Sequence, residues 1–312
     1  MNDCPSEVWT RIFSFACTDG GQTGRSLSCV NKYIGQAARD VMFQTVEIRG
    51  LEQLRRFTSM LETSPSNASK VKHLYISTSD QQPLEPSPPP ERMFEFLYGY
   101  GASQTQQLKE FDFPRHEQSS DSMSSTLIRV LSLLAPSLCS LHLTAFSRDH
   151  ILLPISLPHL SDLVIHGPFP SWSVDDQSVL PFPGLHRLSL SGFSDYPMTL
   201  FSCIARLAPE LRELHLGPEK PTRVLLPDLQ AALGLGKGVE SKSSLPRSLT
   251  DIVVHPGEMP DETKYWLIPV HRDMIDGVED LGRHEKRVKL SKEPLTGSLM
   301  EPHHPPHPQR AC

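Results

Sequence analysis

Leu207-Ala-Pro-Glu-Leu-Arg-Glu-Leu-His-Leu216 repeats Leu134-Ala-Pro-Ser-Leu-Cys-Ser-Leu-His-Leu143, with seven of ten positions identical. Both frames contain the hexamer apolar-x-x-apolar-x-apolar. It recurs as Phe43–Ile48, Val71–Ile76, Leu108–Phe113, Leu138–Leu143, Leu160–Ile165, Leu185–Leu190, Leu211–Leu216 and Leu249–Val254. The last two apolar positions alternate with polar ones, as in a strand buried on one face. Successive copies start 28, 37, 30, 22, 25, 26 and 38 residues apart.

Helical stripes lie between the hexamers. Leu51, Leu54, Phe57 and Leu61 share one face, as do Met93, Phe94, Leu97 and Tyr98. Two further stripes, Leu127–Leu134 and Leu200–Leu207, both end at Ala-Pro, where proline stops the helix. A strand, turn and helix every 22 to 38 residues predict an irregular leucine-rich-repeat solenoid. In fold class this is α/β, with parallel strands on the concave face and helices and loops outside. An ordinary α/β domain with a parallel sheet has the same periodicity. Tyr265, Trp266, Leu267, Ile268, Val270, Met274 and Ile275 are expected to cap its open end. The proline-rich 81–91, the polar 115–125 and the Gly/Ser/Lys-rich 234–244 read as unpacked loops.

Ahead of the repeats, residues 4–34 read as three short helices. Pro5 suits a first helical position and Glu7 the first turn, where a carboxylate meets the positive end of the dipole. Val8, Trp9, Ile12, Phe13 and Ala16 supply an apolar stripe, and Gly20 and Gly21 end it. Leu27 and Val30 form a second apolar face. Asn31 is a candidate N-cap for a third helix carrying Tyr33, Ile34, Ala37, Ala38 and Val41. The joint spacing of Pro5, Glu7, Val8, Ile12, Phe13 and Phe15 with Leu27, Ser28, Val30, Asn31, Lys32 and Tyr33 resembles the F-box family. The chain departs from that pattern at Cys4, Trp9 and Tyr33.

The resemblance implies a three-helix F-box over 1–43 and gives the repeat domain over 44–281 a substrate-binding role; from about 282 the chain turns charged and reads as a disordered tail over 282–312. It implies docking on the Skp adaptor of a cullin-containing (SCF) ubiquitin ligase, through Pro5, Val8, Ile12, Phe13, Leu27 and Val30. The repeat domain would hold a substrate protein whose identity the sequence does not specify. Such a chain needs no nucleophile or cofactor of its own, because it acts by proximity. The other class of function is a non-catalytic repeat scaffold whose F-box-like helices merely cap the coil.

Composition narrows the field. Thirty Lys and Arg against 36 Asp and Glu give a net charge of −6, which argues against a nucleic-acid surface. No run of 18 apolar residues and no basic-then-apolar leader occurs, so neither a membrane span nor a secretory signal is expected. The six cysteines form no Cys-x-x-Cys pair, which fits reduced thiols in cytoplasm or nucleus. Serine-hydrolase elbows, P-loops, dinucleotide loops and His-Glu-x-x-His are all missing, so no enzyme class is indicated.

Strand alternation places His73, Tyr75, Glu110, Asp112, Ser140, His142, Asp162, His166, Arg187, Ser189, Glu213, His215, Asp251 and His255 on the open face. Of these, His142, Asp162, His166, Arg187, Glu213 and His215 are the candidate substrate-binding residues. The carboxylates outnumber Arg187, which predicts a mildly acidic groove suited to a basic partner. The recurring histidines lack reinforcing thiols, so no metal site is expected.

Overall fold

The computed structural model describes residues 4–77, 117–144, 155–167, 182–193, 200–235 and 245–291. Three helices open the chain: α1 (Ser6–Ala16), α2 (Gln22–Val30) and α3 (Lys32–Ala38). Pro5 occupies the N-cap of α1 rather than its first turn. The Asn31 side chain accepts a 2.8 Å hydrogen bond from the Ile34 N–H, capping α3 as its chemistry predicts. The Thr10 hydroxyl donates to the Ala37 carbonyl at 3.2 Å, and the Tyr33 hydroxyl to the Cys4 carbonyl at 2.6 Å, so α1 is tied to α3. These helices bury a small core of their own: Phe13, Cys17, Ile34, Ala37, Ala38 and Val41.

The rest is α/β. Eight parallel strands follow one another in space as in sequence: β1 (Thr45–Arg49), β2 (His73–Ser77), β3 (Ser140–Thr144), β4 (Asp162–His166), β5 (Arg187–Phe193), β6 (Glu213–Pro218), β7 (Asp251–Val254) and β8 (Val288–Leu290). Helices α4 (Gly50–Thr63), α5 (Glu117–Leu134), α6 (Leu200–Leu207), α7 (Leu225–Ala232) and α8 (Leu267–His284) lie between them along the chain. Seven hexamers become β1 to β7, in register. The fourth positions align as Val46, Leu74, Leu141, Leu163, Leu188, Leu214 and Ile252; the sixth run from Ile48 to Val254. Both rows point into one continuous core, where Leu74, Leu141, Leu163 and Leu214 are fully buried.

The second hexamer position does a job that the sequence hides. Its carbonyl accepts two consecutive N–H groups from the next copy. Gln44 takes those of Lys72 and His73, Lys72 those of Cys139 and Ser140, and Cys139 those of Ser161 and Asp162. Ser161, His186 and Arg212 repeat the arrangement through Asp251. Backbone groups at the entry to each strand are thereby satisfied whatever the side chain, so these positions vary freely.

Three expectations are corrected. The tail expected from 282 starts later, because α8 runs to His284 and Val288 pairs with Ile252 in β8. The loop expected over 115–125 is largely helix: α5 starts at Glu117, and Met123 is buried against the core. Of the residues expected to cap the open end, Met274 is buried but Tyr265 and Trp266 stand out from the surface. They are 70% and 59% exposed, and α8 turns inward instead through His271, Met274, Val278 and Leu281. The hexamer at 108–113, the stripe at 93–98, the proline-rich 81–91, most of the loop at 234–244 and residues 292–312 lie outside the described residues.

Candidate functional site

Two surfaces stand out. The first is on the opening helices. Helix α1 carries two apolar stripes rather than one. Trp9 and Phe13 turn inward, their rings stacked 5.4 Å apart. Val8, Ile12 and Phe15 turn outward at 44%, 47% and 58% exposure. Val30 and Tyr33 add exposed apolar surface on α2 and α3. A helix needs one stripe to pack its own core; a second is surface available to another molecule.

Of the expected contacts here, Pro5, Val8, Ile12 and Val30 are exposed. Leu27 is half-buried against the small core. Phe13 is corrected: at 4% exposure it is the centre of that core and presents no surface. Phe15, with the Arg11 guanidinium 4.9 Å above its ring, and Tyr33 are surface residues missing from the expected contact set. Phe15 continues the Val8–Ile12 spacing, a signal the sequence did carry.

The second surface is the open face of the sheet. One row across it reads His73, Ser140, Asp162, Arg187, Glu213, Asp251. The next reads Tyr75, His142, Val164, Ser189, His215, Val253, Lys289. A third holds Ser77, Thr144, His166 and Ser191. The six candidate substrate residues therefore fall on β3 to β6. Arg187 joins two of them, 2.7 Å from Glu213 and 3.8 Å from Asp162. His215 approaches Glu213 at 3.8 Å. His142 lies apart, its ring 4.4 Å from that of Tyr75, and His166 Nδ1 is 2.9 Å from the Ser191 hydroxyl.

The carboxylates on the described part of this face are each paired with a cation. Arg187 answers Asp162 and Glu213, Arg49 pairs with Glu47 at 2.7 Å, and Lys289 pairs with Asp251. Lys289 belongs to β8, the strand the sequence concealed. Glu110 and Asp112 lie outside the described residues.

Burial tunes the titrating groups. It lowers the pKa of His73, of His166 against the pull of Glu219, and of His215, where His255 and Arg187 push the same way and Glu213 opposes. Burial and then the Asp162 charge raise that of Tyr75. Burial works against the charge of Arg187, but the hydrogen bond and charge of Glu213, with Asp162, outweigh it and its pKa rises. The Lys289 contact holds Asp251 below the usual carboxylate value. Burial therefore favours the uncharged form of His73, His166 and His215 beside these ion pairs.

Among the described residues, no group of three or more His, Cys, Asp or Glu is arranged to hold a metal ion. None of their helices is long and apolar enough to cross a membrane. A small void walled by Leu163, Phe182, Ile204 and Leu207 is apolar core, not a ligand site. Compared with known families, curated proteins and solved structures, the chain matches none.

Proposed function

We propose that the chain is the substrate-recognition subunit of an SCF ubiquitin ligase. Its opening helices act as an F-box on the Skp adaptor, and the sheet that follows, an irregular leucine-rich-repeat solenoid, holds a client protein on its open face. The observation that carries this reading is the second apolar stripe of α1: Val8, Ile12 and Phe15 stand exposed while Trp9 and Phe13 pack the core. Burying half-exposed side chains of this size against a partner is worth about 1 kcal/mol or more apiece. The separate core of the helical unit also suits a module that docks as a unit. Ubiquitin transfer belongs to the recruited conjugating enzyme, and this chain supplies proximity. The site of action is then the cytoplasm or nucleus.

The reading as a capped scaffold has its own support. A Cβ on Gly24 would sit 2.9 Å from Met42 Cβ, so α2 leans on the segment leading into β1. A cap explains that contact and leaves Val8 and Ile12 unexplained. Co-expression with the Skp adaptor separates the two. The full chain is expected to co-purify with it, and Val8→Asp with Ile12→Asp to abolish capture without lowering the melting temperature. Capture that survives the double change refutes the docking role.

A further inference from the structure

At the centre of the open face lies a trough one strand wide. Its floor is β5, where Ser189 and Ser191 are both only 4% exposed. Its walls are Val164 and His166 on β4 and His215 on β6, each larger than the serines between them. Two strand spacings separate the walls, about 10 Å from backbone to backbone. At 4% exposure both serines are covered by these neighbours, so a group reaches Ser189 only when a wall side chain moves.

The polar groups around the trough are answered from within the chain. Ser191 meets His166 Nδ1 at 2.9 Å, His215 Nδ1 meets His255 Nε2 at 3.2 Å, and Arg187 spans Asp162 and Glu213. The Ser189 hydroxyl is the exception. Its oxygen is fully covered and has no hydrogen-bond partner. A buried hydroxyl left unpaired destabilises the fold that contains it, so a group able to donate to it or accept from it gains by arriving.

The charges at the mouth decide what kind of group. A carboxylate would meet Asp162 and Glu213; a cation would meet Arg187 and compete for its partners. An uncharged amide suffers neither penalty and offers both a donor and an acceptor. We propose that Ser189 anchors one uncharged hydrogen-bonding side chain, an Asn or Gln carboxamide, from a protein segment lying along the β5 trough. Entry requires the His215 ring to swing aside, and its described polar contacts are the single bond to His255 and the 3.8 Å approach to Glu213. The inference rests on the open face being the client-binding surface. It is independent of what the helices dock on.

The test is selection of a phage-displayed random dodecapeptide library on the full chain, followed by affinity measurement on variants. Enriched peptides are expected to share an Asn or Gln and to bind Ser189→Ala about tenfold more weakly, the loss of one hydrogen bond. Ser189→Ala should melt no lower than the parent, since it removes an unpaired group. Ser189→Cys, which keeps the size and bonds poorly, should reproduce the weakening. Enrichment of invariant acidic or basic residues, equal affinity for Ser189→Ala and Ser189→Cys, or no enrichment overturns the proposal. Adaptor capture through Val8 and Ile12 is read separately, so failure of one assay leaves the other standing.

Discussion

His215 Nδ1 lies 3.2 Å from His255 Nε2 across the β6–β7 boundary, with the two ring centroids 5.4 Å apart. The tautomers set which ring donates, and a proton added to His215 meets both the burial of the site and the Arg187 charge.

That relationship has a consequence for stability against pH. His73, His166 and His215 all titrate below the ordinary value of 6.5, chiefly because they are buried. The unfolded chain, with ordinary values, then binds protons more readily than the folded one. Stability is therefore present above about pH 6.5 and lost as pH falls through the lowered folded values. The urea midpoint is expected to be lower at about pH 5.5 than at about pH 7.5, and His166→Gln with His215→Gln to flatten the difference. An unchanged midpoint in the parent contradicts this.

Phe13→Ala should unfold the opening helices and spare the sheet. The side chain fills the small separate core, and truncating a buried Phe costs about 3–5 kcal/mol. Limited proteolysis is expected to cut within 4–41 in the variant while the sheet survives. Loss of the whole fold in one step shows instead that the two cores are coupled.

Gly192→Ala tests the β5 bulge. Gly192 has φ 69°, and a Cβ there would lie 3.0 Å from His166 Cε1 and 3.1 Å from the Gly167 nitrogen. The left-handed backbone alone costs a non-glycine residue about 1–2 kcal/mol. The variant should lose at least that in urea unfolding and shift the His166 ring resonances, because the ring must leave Ser191. Unchanged stability and resonances show that the bulge tolerates a side chain.

His271→Leu should stabilise the protein. His271 is buried on the inner face of α8, and neither ring nitrogen has a hydrogen-bond partner. Replacing an unpaired buried polar group by an apolar one of similar size gains about 1–2 kcal/mol. A lower melting temperature in the variant contradicts the assignment of an unpaired ring.

The strands were legible where burial is one-sided. Leu141, Leu163, Leu188 and Leu214 alternate with polar neighbours because each strand shows one face to the core and the other outward. The β8 strand was not, because Glu285 stands where the other copies have an apolar first residue. Its pairing comes from Val288 opposite Ile252, a contact between distant segments. The start of α5 was hidden by its serines, poor helix formers, and Met123 packing overrides them. On α1, periodicity put Phe13 in the helix but not on a side; Ile34, Ala37 and Ala38 of α3 decide that it faces inward and leave Phe15 outside. The six candidate residues of the open face fell where alternation puts them. Arg187 pairs with Asp162 and Glu213 among them, whereas the Lys289 partner of the neighbouring Asp251 comes from β8 and was invisible.

The central claim is that the outward stripe of α1 is an adaptor-docking surface. Hydrogen–deuterium exchange of the full chain with and without the Skp adaptor measures this most directly. Slowed exchange is predicted over 5–16 and 27–33, with β3 to β7 unchanged. No protection in those two segments, or protection on the sheet instead, contradicts it.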